Sequence, residues 1–159
     1  MPKPSLVIRD FQAADTDATA QIYFRAVREG ALAAYSAAEV KAWVPELPEK
    51  KAWYQRLNYN RTLIAERNGV AIGFMAMSHA GYIDLAFVAP EEMGKGIADA
   101  LYGAQLAYGK DEGLPKLTAH ASYLARRFFL RHGWTEGEKE IVERNGEKLV
   151  RFQMKMEIG

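Results

Sequence analysis

The chain of 159 residues contains no cysteine. That absence excludes a disulfide framework, a thiolate metal site and a cysteinyl acyl-enzyme. Charge of one sign is also missing, because 21 Lys and Arg stand against 20 Asp and Glu for a formal net charge of +1. A protein that coats nucleic acid or anionic lipid needs a basic excess over a surface, so neither partner is expected. Long apolar runs are absent as well: the longest, residues 70–77, falls far short of the roughly 18–20 that a membrane helix needs. At the amino terminus Leu6, Val7 and Ile8 give way at once to Arg9 and Asp10, which leaves no secretory h-region. Repeats, low-complexity tracts and Gly/Pro/Ser linkers are lacking too. One domain over 1–159, soluble and cytoplasmic, is the expectation, and 49% hydrophobic residues suffice for its core.

What is present is a chain of alternating helix and strand signals. Residues 6–9 read as a first strand. Asp15, Thr16 and Asp17 are helix-start residues ahead of an apolar pattern through Ile22, Ala26 and Ala33. Ser36 and Glu39 have capping-box spacing before Val40, Ala42 and Trp43, and Pro45 and Pro48 stop that helix. A short helix is expected around 53–57. Residues 62–66 and 70–77 are strand-like runs joined near Asn68-Gly69, a dipeptide suited to the positive φ of a tight hairpin turn. With a third run at 82–88 they predict an antiparallel meander. Beyond Pro90, Gly94-Lys95-Gly96 leads into an amphipathic helix carrying Ile97, Leu101, Ala104 and Tyr108, ended by Gly113 and Pro115. A strand at 117–121, a helix at 124–132 and a hairpin of 141–144 with 149–156 follow, the last placing Val150, Phe152, Met154 and Met156 on one face. The interleaved order is α/β.

Gly94 and Gly96 let backbone approach a ligand closely, and the first amides of the following helix lack intrahelical partners. Such a turn suits phosphate oxygens, although glycines there also serve simply to turn the chain. Two familiar phosphate motifs do not fit. Lys95 is followed by Gly96 and Lys110 by Asp111, where a Walker A loop needs Ser or Thr, and Asp99 occupies the third-glycine place of a dinucleotide fingerprint.

Tyr82-Ile83-Asp84-Leu85-Ala86-Phe87-Val88-Ala89-Pro90, then Met93-Gly94-Lys95-Gly96-Ile97-Ala98, and later Ser122-Tyr123-Leu124-Ala125-Arg126-Arg127-Phe128-Phe129 through Gly133-Trp134 form an ordered series. Over about 62–156 the chain resembles the GNAT superfamily of N-acetyltransferases. In that family a strand ending Val-x-Pro leads to Arg/Gln-x-x-Gly-x-Gly/Ala, and Asn-x-x-Ala-x-x-Phe-Tyr-x-x-x-Gly-Phe follows the fifth strand. The resemblance implies a mixed, mostly antiparallel sheet of six to seven strands with about four helices. It places acceptor-side helices at about 12–58, an acyl-CoA-binding core at 62–134 and a hairpin at 140–157. It further implies acetyl-CoA as co-substrate and direct transfer to a small-molecule or peptide amine. Amides of Met93, Gly94, Lys95, Gly96, Ile97 and Ala98 would bind the coenzyme A diphosphate. The strand of Phe87 and Val88 would splay from the strand at 117–121 to admit pantetheine, and an amide near Phe87 or Val88 would polarise the thioester. Ser122, Ala125 and Phe129 match the second motif and, with Arg131, belong to the same donor site.

Three positions depart from the family pattern. Met93 replaces Arg or Gln, Ser122 replaces Asn, and Phe129 replaces the Tyr that protonates the leaving thiolate. Since a thiol pKa is near ~8.5, thiolate is a tolerable leaving group without a dedicated acid. Tyr123 and His120 are the candidates to replace it, each with packing as the alternative. A base must also free the amine of its proton. Asp84, placed by alternation on one face with Tyr82, Ala86 and Val88, is the candidate, since burial among apolar groups strengthens a carboxylate as a base; a strand-end salt bridge is the alternative. His79 is a further loop candidate. His79, His120 and His132 lack metal-ligand spacing, and no metal is expected. Lys116, Arg126, Arg127 and Arg131 form a basic stretch that would attract coenzyme A phosphates or merely solvate a helix. Trp43, Trp53 and Tyr54 fit core better than acceptor site. A homodimer stays open, and a non-catalytic coenzyme A sensor on the same fold is the competing reading, motivated by Phe129.

Overall fold

Two Asn-Gly pairs set the hairpins. Asn68 and Gly69 have φ of 56° and 75°, and Asn145 and Gly146 have 50° and 84°, the doubly left-handed turn whose twist matches its flanking strands. The first pair joins β2 (Arg61–Arg67) to β3 (Val70–Met77), and the second joins β6 (Thr135–Arg144) to β7 (Glu147–Glu157). The computed structural model describes residues 5–159, so the first four residues of the stretch inspected for a signal lie outside the described residues. With β1 (Val7–Asp10), β4 (Tyr82–Val88) and β5 (Lys116–Ala121), the strands form one sheet in the order β1-β2-β3-β4-β5-β7-β6. Neighbours are antiparallel throughout except β4 and β5, which run parallel.

Helices cover both faces, which is why β3 is apolar along most of its length instead of alternating. On one side α1 (Thr16–Arg28), α2 (Ala37–Trp43) and α3 (Lys50–Tyr59) contribute Ile22, Val27, Val40 and Leu57 to a core with Ile64, Phe74 and Leu85. On the other, α4 (Ile97–Asp111) and α5 (Tyr123–Arg131) pack Ile97, Leu101 and Phe129 against Leu63, Met75 and Leu117. Among the described residues seven strands and five α-helices, one helix more than expected, give the mixed, mostly antiparallel α/β architecture. No helix among the described residues is long and apolar enough to cross a membrane.

Local signals place the elements, with two corrections. The Ser36 capping box forms in full: Ser36 Oγ accepts from the Glu39 amide at 3.1 Å and Glu39 Oε1 accepts from the Ser36 amide at 2.8 Å. Asp15, in contrast, does not cap α1. Its carboxylate accepts two 2.8 Å bonds from the Arg9 guanidinium and one from the Gln12 amide, tying the end of β1 to the start of α1. The apolar pattern through Ala33 is not one helix either. It breaks after Arg28, and Ala33 lies exposed in a short 3-10 turn. At Gly30, in that turn, the Met93 side chain crosses so closely that an added Cβ would lie 2.4 Å from its Cε.

Candidate functional site

The sheet is two sub-sheets joined at a narrow seam. β4 pairs with β3 from Ile83 to Val88, but with β5 only through Tyr82↔Thr118 and Ile83↔Ala119. Beyond Ile83 the β5-facing edge of β4 therefore presents backbone N–H and C=O groups without a strand partner, and a gap opens there. A β-bulge marks the place. The β3 register steps from Ala76↔Leu85 to Met77↔Ile83, so Asp84 is the extra residue. The bulge overturns the alternation expected from sequence: Ala86 and Val88 lie with the α4/α5 core, whereas Leu85 and Phe87 lie with the α1–α3 core, and Asp84 turns toward α3. Asp84 is then not an isolated buried carboxylate. Arg56 Nε and Nη2 hold it at 2.8 Å each and Asn60 Nδ2 at 3.1 Å, so both its oxygens are engaged.

Through the gap runs a cleft with two lobes that share Trp43, Ala86, Phe87, Ser122, Ala125 and Phe129. The larger lobe, about 480 Å³, extends from β4 to the start of α4. Phe87, Val88, Met93, Gly94, Gly96, Ile97, Ala98, Ser122, Ala125, Phe129 and Arg131 all line it, and Lys95 alone of the expected donor-site residues does not. Lys95 pairs instead with Glu92 at 3.5 Å. Gly94 and Gly96 have φ of 78° and 82°, and Gly96 caps α4 without offering a side-chain acceptor, so the first amides of the helix stay available to a ligand. Asp99, one turn in, is held by His132 Nε2 at 2.7 Å and Arg131 at 3.0 Å; these bonds, His132 foremost, keep its carboxyl below the usual range. Ser122 caps α5, its Oγ accepting from the Ala125 amide at 3.3 Å.

The basic stretch does not act as a unit. Arg126 pairs with Glu136 and lies over the Phe152 ring, Lys116 begins the far end of β5, and of the four only Arg131 lines the larger lobe.

The smaller lobe, about 250 Å³, opens on the α1–α3 side. His120 faces it, since Leu117, Ala119 and Ala121 of β5 take the opposite core. Its Nδ1 lies 2.9 Å from the Tyr82 hydroxyl and its Nε2 3.9 Å from Glu140. Burial pushes the Tyr82 phenol up, and the nearby Asp84 charge adds to that shift. Tyr123 lines neither lobe. Its ring is wedged between Tyr35 and Phe152 at 5.5 Å from each, and its amide donates to the Tyr35 hydroxyl at 2.9 Å. Packing against Tyr35 and Phe152 thus fixes the Tyr123 ring. His79 contacts Tyr108 at 3.3 Å, away from both lobes. Trp53 is core, its indole donating to Thr19, while Trp43 is a wall of both lobes. Sequence reasoning missed Tyr23, Tyr35, Arg56, Arg144 and Arg151, which come from four separate elements and an intervening turn and share no local pattern.

A family model described as an acetyltransferase (GNAT) domain matches residues 31–157. The uncharacterized N-acetyltransferase YafP of Escherichia coli (strain K12) is 32% identical over 152 residues, covering 95% of each chain. Among solved structures, a GCN5-related N-acetyltransferase from Rhodopseudomonas palustris superposes with a TM-score of 0.91 at 26% identity over 99% of both chains. The structure of yncA from Salmonella typhimurium with its cofactor acetyl-CoA has a TM-score of 0.73 at 22% identity, covering 96% of this chain and 94% of that one.

Proposed function

Because this chain belongs to the GNAT superfamily of N-acetyltransferases, we propose that it moves an acetyl group from acetyl-CoA directly onto a primary amine, within a ternary complex in the cytoplasm. One observation carries the reading: two lobes of different character meet at the split between β4 and β5. Acetyl-CoA supplies an acetyl group activated as a thioester. The amides of 93–98 and the α4 terminus suit its diphosphate, and the unpaired edge of β4 over 84–88 suits an extended pantetheine arm. An amide at Phe87 or Val88 would then face the thioester oxygen, where a fixed dipole lowers the barrier. With no cysteine in the chain, direct transfer needs no cysteinyl intermediate.

His120 takes the role of base toward the acceptor ammonium, directly or through one water. It faces the smaller lobe, and the Tyr82 hydroxyl at 2.9 Å orients its ring. Asp84 is a positioning residue that fixes Arg56 and the bulge. Phe129 favours a second reading, a coenzyme A sensor without turnover.

Thermal melting with coenzyme A and acetyl-CoA tests the donor site; a ligand at a hundredfold excess over its Kd stabilises by about 2.7 kcal/mol. Absence of any shift at near-millimolar ligand would remove both readings. Thiol release over a panel of amines separates them, since a sensor binds and releases nothing. In an active enzyme, His120→Gln is expected to lower kcat about 100-fold with donor binding intact.

A further inference from the structure

The charges around the smaller lobe do not balance. Asp84 is taken by Arg56, and Arg151 is taken by Glu140 at 2.8 Å. Arg144, at the end of β6, lines the same lobe and among the described residues has no carboxylate within ion-pair distance. Its neighbour is the Tyr23 hydroxyl, a neutral group whose ring packs 4.9 Å from Phe87 at the junction of the lobes. Arg144 is exposed, but the turn that follows it is tied down. Asn145, in the adjoining turn, donates through Nδ2 to the Ala42 carbonyl at 2.6 Å and pins the hairpin tip to α2. Six aromatic rings, Tyr23, Tyr35, Trp43, Tyr82, Phe87 and Phe129, line the lobe beside aliphatic groups such as Leu85, Val142 and Leu149.

A free primary amine is an ammonium in water, and a lobe with one uncompensated cation repels it. That repulsion disappears when the acceptor carries its own anion, and a guanidinium fork matches a carboxylate in shape and charge. Resting on the acetyl-transfer reading above, we propose that the acceptor is a small amino carboxylic acid with an apolar or aromatic side chain. Its carboxylate pairs with Arg144, its side chain lies against the aromatic walls, and its amine reaches the junction at Phe87 and Phe129. Arg144 is a specificity-determining residue that does not line the donor lobe.

The test compares three matched probes, L-phenylalanine, L-phenylalaninamide and 2-phenylethylamine, with the leucine series beside them. In the parent enzyme kcat/KM for the amino acids should exceed that for the amides and amines at least tenfold. Arg144→Gln should cut the amino acid values at least tenfold, chiefly through KM, and leave the amine values unchanged or raised, because the repelling charge is gone. Amides or amines used as well as the acids would overturn the proposal, as would an equal loss for all probes. Titration calorimetry of the same probes into the coenzyme A-saturated protein reads the site without turnover. If thiol release fails with every probe but L-phenylalanine binds in an Arg144-dependent way, acetyl transfer falls and the carboxylate site stands. If neither amino acid binds, the carboxylate site falls, whatever other amines are acetylated.

Discussion

Phe129 is 2% exposed, its ring 4.3 Å from Trp134, yet it lines both lobes of the cleft. A hydroxyl added there restores the group that the family pattern carries at this position. We expect Phe129→Tyr to raise kcat several-fold below about pH 8, where a thiolate leaving group gains most from an acid, with little change above it; thiol-release rates across pH measure this. At Asp15 the chemistry is structural. The Arg9 guanidinium, above all, holds the Asp15 carboxyl below the usual range, with the Gln12 amide adding to it. A depressed folded-state pKa stabilises the fold above the ordinary carboxylate value of about 3.9, and the benefit is lost as pH falls through the lower folded value. Asp15→Asn should therefore cost about 2 kcal/mol at pH 7, with the difference from the parent shrinking below about pH 4 in urea titrations. Both effects depend on partners. The Phe in place of Tyr was legible from sequence, but the Arg9 fork that makes Asp15 an anchor instead of a cap was not, because nothing within Asp15's own turn specifies it.

α4 illustrates the same division for a whole element. Its start at the two left-handed glycines and its end at Gly113 are local, set by backbone freedom over a few residues, and both were readable. Gln105 in its middle interrupts the apolar pattern for a reason that lies on other strands. Fully buried, it donates through Nε2 to the carbonyls of Arg61 and Met75 at 3.0 Å each and accepts from Arg61 Nη1 at 2.6 Å. Gln105→Leu removes a donor shared by two carbonyls and is expected to cost about 2 kcal/mol in chemical denaturation. Had the glutamine only filled space, leucine would be neutral or stabilising. The β4 bulge at Asp84 belongs to this scale as well. Alternation predicted one face for Tyr82, Asp84, Ala86 and Val88, and a single extra residue, fixed by pairing with β3, moved Asp84 to Arg56. Register is a property of two strands, so one strand's pattern cannot reveal its break.

Across the molecule, the two sub-sheets touch through two β4–β5 residue pairs, and the split between them is where both lobes meet. Hydrogen exchange should accordingly show fast amides on the β5-facing edge over 84–88, slowed when coenzyme A binds, together with 94–98. Protection confined to the α4 terminus would mean that the pantetheine arm does not lie along β4. By itself the sequence determined the order of the elements, the hairpin turns, the Ser36 cap, the left-handed glycine entry to α4 and the exclusion of cysteine chemistry. Each of these is decided by residues a few positions apart. Only the tertiary structure decided that His120 faces the smaller lobe and Tyr123 does not, and that Tyr35, Arg56 and Arg144 line that lobe with Tyr82. The physical reason is distance along the chain. Those groups come from a turn, α3, β6 and β4, and a contact between such segments is fixed by how helices and strands pack, which no local spacing encodes.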